Sequence, residues 1–105
     1  MVEQVFQYSR GNEKAVEKLI MDDHVHYIHM LFNQGEGLPE HFSNSTVYMT
    51  VVKGRLTIQL DEQEPHQYEA GTVLKIPYQT KMNVGNKDEE LLELIVVKAP
   101  APGTF

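Results

Sequence analysis

The chain contains no cysteine, which excludes a disulfide framework, a thiolate zinc site, an iron–sulfur cluster and a cysteine nucleophile together. It also lacks any excess of positive charge: nine Lys and Arg stand against fifteen Asp and Glu, for a formal net charge of −6. Nucleic acid and anionic membranes are bound by surfaces that displace counterions, and scattered basic residues in an acidic chain do not build one. Neither partner is expected. No hydrophobic run approaches the roughly 20 residues that cross a bilayer. The first ten residues hold no basic segment followed by an apolar stretch, so the expected location is the cytoplasm. Repeats, low-complexity tracts and linkers are missing as well, and 105 residues then suit one domain with one core.

What is present reads as many short strands. A chain that is 41% hydrophobic and 23% charged is globular in composition, and its turn residues come in clusters at close intervals: 10–12, 22–23, 34–39, 43–45, 53–54, 61–65, Gly71 and 85–88. Between them lie β-rich runs at 25–32, 46–52, 55–60, 72–76 and 91–97. The run 55–60 alternates most clearly, with Leu56, Ile58 and Leu60 on one face and Thr57 and Gln59 on the other. The other runs are apolar on both faces, as in strands covered by a second layer or a subunit contact. An all-β sandwich or barrel is the economical reading. Residues 13–20 follow Asn12 and place Ala15, Val16, Leu19 and Ile20 on a helical stripe. The same residues also suit a strand that turns back at Asp22-Asp23, and strand is the expectation adopted. The expected divisions are 1–22 as N-terminal strands or a short helix, 23–98 as the barrel and 99–105 as a proline-containing surface tail that cannot extend a ladder.

The spacing of a few residues then resembles a known family. Gly35 is followed at fixed offsets by His41, Ser43, Val47 and Gly54, in the frame of the first cupin motif, G-x5-H-x-H-x3-4-E-x6-G. Gly71, Pro77, Met82 and Asn86 keep the spacing of the second, G-x5-P-x4-H-x3-N. Five frame positions and one ligand position match. The resemblance implies a cupin-type antiparallel β-barrel, a double-stranded β-helix or jelly roll. In the metal-binding members that this sequence resembles, three histidines and a glutamate converge on a divalent transition metal. Here His41 alone remains, because Ser43, Val47 and Met82 occupy the other three positions, and these are poor ligands for the harder divalent ions.

A degenerate metal site without a cofactor is therefore expected. The alternative is a rebuilt site in which His24 and His26, two apart on one strand face, join His41 around a divalent transition metal. His29 has the opposite parity and cannot join them without a bulge. Strand parity with His41 and Ser43 facing inward brings Val47, Met49, Val51 and Met82 to the same interior, an expected small-molecule pocket of apolar walls with a few polar groups. The opposed possibility is an interior filled by its own side chains, with Met49 and Met82 closing the gaps. His41 either orients a ligand or moves a proton, or it is spent on Ser43 or a backbone group. His66 is read as a surface residue, and Lys81 and Tyr78 receive no catalytic role.

Three functional readings remain. The first is a metal-free or weakly metal-binding module that holds a small organic ligand. The second is a metal-dependent dioxygenase or isomerase with a rebuilt histidine site. The third is a metal-independent isomerase, epimerase or lyase that uses His41. An outward apolar face including Tyr48, Thr50 and Val52 leads to an expected homodimer.

Overall fold

The computed structural model describes residues 1–103. Nine strands occur among them: β1 (Ala15–Met21), β2 (His26–Phe32), β3 (His41–Phe42), β4 (Val47–Lys53), β5 (Arg55–Leu60), β6 (His66–Glu69), β7 (Val73–Ile76), β8 (Lys81–Gly85) and β9 (Leu92–Lys98). They form a five-stranded sheet in the order β1-β2-β9-β4-β7 and a four-stranded sheet in the order β3-β8-β5-β6, with every named pair antiparallel. No helix among the described residues is long and apolar enough to cross a membrane.

Period-2 alternation drives this packing. In β4, Val47, Met49 and Val51 are buried while Tyr48 and Val52 are exposed; in β9, Leu92, Leu94 and Val96 are buried. Ile28, Met30 and Phe32 of β2 join them, and from the opposite sheet Leu56 and Ile58 of β5 meet Met82 and Val84 of β8 in one core. The single residue Gly54 carries the chain from β4 into β5 and so from one sheet to the other. Its φ is +81°, and a Cβ there would lie 2.5 Å from the Leu91 carbonyl oxygen. Only glycine satisfies both constraints.

Residues 15–21 form a strand, and its irregularity explains their helix-like apolar spacing. The register with β2 shifts between Lys18 and Ile20: Lys18 faces Ile28, whereas Ile20 faces Tyr27. The extra residue breaks strict alternation and leaves Leu19 and Ile20 both half-buried. β1 is thus an edge strand of the larger sheet. At the other end the tail is tied down: Ala99 N–H donates to the Thr46 carbonyl at 3.2 Å, Ser45 Oγ donates to the Pro100 carbonyl, and Ala101 is buried. Of the expected tail 99–105, residues 104 and 105 lie outside the described residues.

Asn86 fastens the loops at one end of the barrel. Its buried side-chain amide donates to the carbonyls of Phe32 at 2.9 Å and Glu90 at 2.8 Å, and its Oδ1 accepts from Asp88 N–H at 2.9 Å. Its backbone is paired with Gly35 and Glu36. The side chain therefore ties the loop after β8 to the end of β2, and the backbone of the same residue holds the loop after β2.

Candidate functional site

Between the sheets lies an open-ended cavity of about 310 Å³. Its walls come from inward residues of both layers: Ile28, Met30, Met49 and Val96 from the larger sheet, and Met82 from β8. The segment before and through β3 forms part of the rim, and Lys18 and Lys98 also reach it. Of the six pocket residues expected from the sequence, His41, Ser43, Val47, Met49 and Met82 line this one space. Val51 does not. It shares their face of β4 but is fully buried one step along the strand, where Leu94 of β9 faces it. Met49 and Met82 line this space while remaining almost entirely buried.

The four positions that hold metal in the metal-binding cupins line one space, with His41 directly opposite Met82 in the β3–β8 register, but their chemistry differs from that of a metal site. Ser43 Oγ donates to the Pro77 carbonyl at 2.6 Å and accepts from Thr80 N–H at 2.8 Å. Thr80 Oγ1 donates to the same carbonyl at 2.8 Å. The serine therefore clamps the turn that leads into β8. His41 Nδ1 lies 2.9 Å from the Pro39 carbonyl, an acceptor, so Nδ1 carries the hydrogen and Nε2 presents a lone pair. Of the two partners expected for His41, Ser43 or a backbone group, it is the backbone group that it meets.

With Val47 offering no donor atom and Met82 only a thioether, this set does not fit a divalent ion. No buried side-chain polar atom among the described residues lacks a partner that an ion would have to supply. The alternative set is not assembled either. His24 sits in the exposed turn after β1, where its N–H donates to Asp22 Oδ1 at 2.8 Å, His26 opens β2 in the larger sheet, and His41 lies in the smaller one. No three His, Asp or Glu side chains among the described residues are grouped to hold a metal. His66 is exposed on β6, as expected, and Lys81 is engaged by Glu62 at 3.2 Å.

The structure adds a cluster that sequence reasoning did not assemble. His29, on the outer face of β2, is completely buried. Its Nδ1 is 2.7 Å from Glu17 Oε1 and its Nε2 is 2.7 Å from Glu93 Oε2. Tyr8 of the N-terminal arm stacks on its ring, with centroids 3.9 Å apart and planes inclined by 14°. Glu17 also accepts from Ser9 N–H at 3.1 Å, so the cluster pins the arm to the sheet. The hydrogen bond from His29, reinforced by that from Ser9, holds the Glu17 carboxyl below its ordinary value. Such a depressed carboxylate contributes stability that is present above its unfolded-state value and is lost as pH falls through its folded-state value. Acidification is thus expected to release the arm before the barrel unfolds, read as accelerated amide exchange at Ser9 while core amides stay protected. Uniform exchange of arm and core would contradict it.

The two facing antiparallel sheets around an open interior define a double-stranded β-helix, and known proteins agree. No family model matches the chain. It is 41% identical over 103 residues, 97% of its length and 89% of the relative's, to an uncharacterised protein, MJ0764, of Methanocaldococcus jannaschii. The crystal structure of that protein, described as an RmlC-like cupin family protein with a double-stranded beta-helix fold, matches with a TM-score of 0.94 over 97% of this chain and 94% of that one. A cupin superfamily protein of Desulfitobacterium hafniense matches with a TM-score of 0.75 at 18% identity, over 89% of this chain and 83% of that one. The protein BH2720 of Bacillus halodurans gives 0.76 at 22%, over 87% and 73%. These two speak for the fold alone. The chain belongs to the RmlC-like cupin family.

Proposed function

We propose that this protein is a binding module that holds a small organic molecule in the mouth of its barrel without a metal ion. The observation that carries the reading is the cavity of about 310 Å³, near the lower end of the ~300–1,000 Å³ usual for ligand sites. Apolar walls supply contact area, and a few polar groups on the rim, including His41 with its Nε2 lone pair, fix orientation. Engagement of Ser43 in the turn, the lack of a donor atom at Val47 and the thioether in place of a harder donor at Met82 support the absence of a bound divalent ion. Self-association through the outer face of the larger sheet is part of the proposal, because Tyr48, Val52 and Val73 are exposed there.

Elemental analysis of protein purified without added metal, followed by thermal melting with Mn²⁺, Fe²⁺, Ni²⁺ or Zn²⁺, tests the reading. A ligand present at 100 times its dissociation constant stabilises by about 2.7 kcal/mol, so a resident metal would raise the melting temperature visibly. The expected result is substoichiometric metal and no such rise. One transition-metal ion per chain, bound in the barrel, would overturn it.

A further inference from the structure

Two lysines stand at the open end of the cavity. Lys18 of β1 faces Ile28, Ile28 faces Val96 of β9, and Lys98 lies two residues beyond Val96 on the same strand face. Both line the cavity. Among the described residues neither ammonium has a carboxylate within ion-pair distance; the polar partner of Lys98 Nζ is the neutral Asn44 Oδ1 at 3.1 Å. Burial lowers the pKa of Lys98, and the nearby Lys18 charge lowers it further. Two ammonium groups are thus placed together, one of them half-buried, without a counter-charge. A bound anion relieves both costs.

The remaining lining restricts what that anion belongs to. Glu40, the carboxylate on the rim, accepts from Asn83 Nδ2 at 3.0 Å, acts on Lys81 of the smaller sheet and lies beyond ion-pair distance of Lys18 and Lys98. Beyond the lysines the walls are Met30, Met49, Met82 and Val96. A sugar phosphate would set several hydroxyls against these side chains without hydrogen-bond partners. An apolar body instead gains from them, and unbranched methionines adapt to its shape.

We infer that the cavity takes a small apolar carboxylic acid, with its body against the methionines and its carboxylate between Lys18 and Lys98. This rests on the proposal that the cavity is a ligand site. The test is calorimetric titration of the full chain with 3-phenylpropionate and with its uncharged analogue 3-phenylpropanamide. The same titrations are made on Lys18→Met, Lys98→Met and Met49→Trp, each checked for cooperative melting.

The expected result is that the acid binds the unaltered chain roughly tenfold more tightly than the amide, and that either lysine substitution removes that preference while sparing the amide. Met49→Trp, which fills the cavity, is expected to block both. Equal binding of acid and amide, unmoved by the lysine substitutions but lost in Met49→Trp, would overturn the carboxylate assignment and leave the ligand site standing. Failure of both compounds to bind the unaltered chain, or acid binding that survives Met49→Trp, would remove this cavity as the site and the assignment with it.

Discussion

Replacing His29 with alanine is expected to lower the unfolding free energy by about 2–3 kcal/mol, short of the roughly 3–5 kcal/mol found when a fully buried pair loses a partner, because Glu17 and Glu93 keep some contact with water. The ring is inaccessible to solvent, and each of its nitrogens lies 2.7 Å from a glutamate oxygen. Ionised carboxylates only accept, so both bonds are made when the ring carries both N–H hydrogens. Alanine leaves Glu17 and Glu93 facing one another with no donor between them, and it removes the surface on which Tyr8 stacks. Urea unfolding followed by circular dichroism measures the loss. Changing His29, Glu17 and Glu93 together to leucine is expected to recover most of it, because an apolar replacement for the whole group leaves no charge stranded. A single alanine variant within 0.5 kcal/mol of the parent, roughly the size of an ordinary surface change, would show that the cluster does not hold the outer face together.

Asn86→Ala is expected to cost about 3 kcal/mol and to lower the melting temperature by on the order of 10–20 °C. Each buried group left without its partner costs roughly 1–3 kcal/mol, and the side chain satisfies two carbonyls and one N–H. The exposed Glu90 and half-buried Asp88 regain part of this from water, whereas the buried Phe32 carbonyl does not. Asn86→Asp separates packing from bonding: it keeps the shape and the acceptor for Asp88 but supplies no donor for Phe32 or Glu90. It is therefore expected to fall close to alanine. An aspartate variant as stable as the parent would contradict the role given to the two carbonyl bonds.

Much of this architecture was legible in the spacing of a few residues. Gly35, Gly54 and Gly71 all adopt positive φ, as chain reversals at those positions require. The alternation in 55–60 put Leu56 and Ile58 on one face, and parity counted from His41 and Ser43 placed Met49 toward the interior. The short β3, β6 and β8 were less visible, because two to five residues carry too little periodicity to stand out. For the site, parity was enough to gather His41, Ser43, Val47, Met49 and Met82. It could not say that Val51 lies a layer deeper, since depth along a strand depends on the opposing sheet.

The His29 cluster escaped because its members are far apart in sequence. Parity correctly kept His29 from the interior, but Glu17 becomes its neighbour only through the β1–β2 register, and Glu93 reaches it diagonally from β9. Lys18 and Lys98 were hidden for the same reason. Each reads alone as an ordinary charged residue, Lys18 in mid-strand and Lys98 at a strand end, and only the order β1-β2-β9 brings them to one rim.

The most direct measurement is a crystal structure of chelator-treated protein equilibrated with 3-phenylpropionate, with anomalous data for transition metals. Ligand density against Met49 and Met82, with no anomalous peak beside His41, is the predicted result. A transition-metal peak coordinated by His41, or an interior closed by the methionines with the compound absent, would contradict the account.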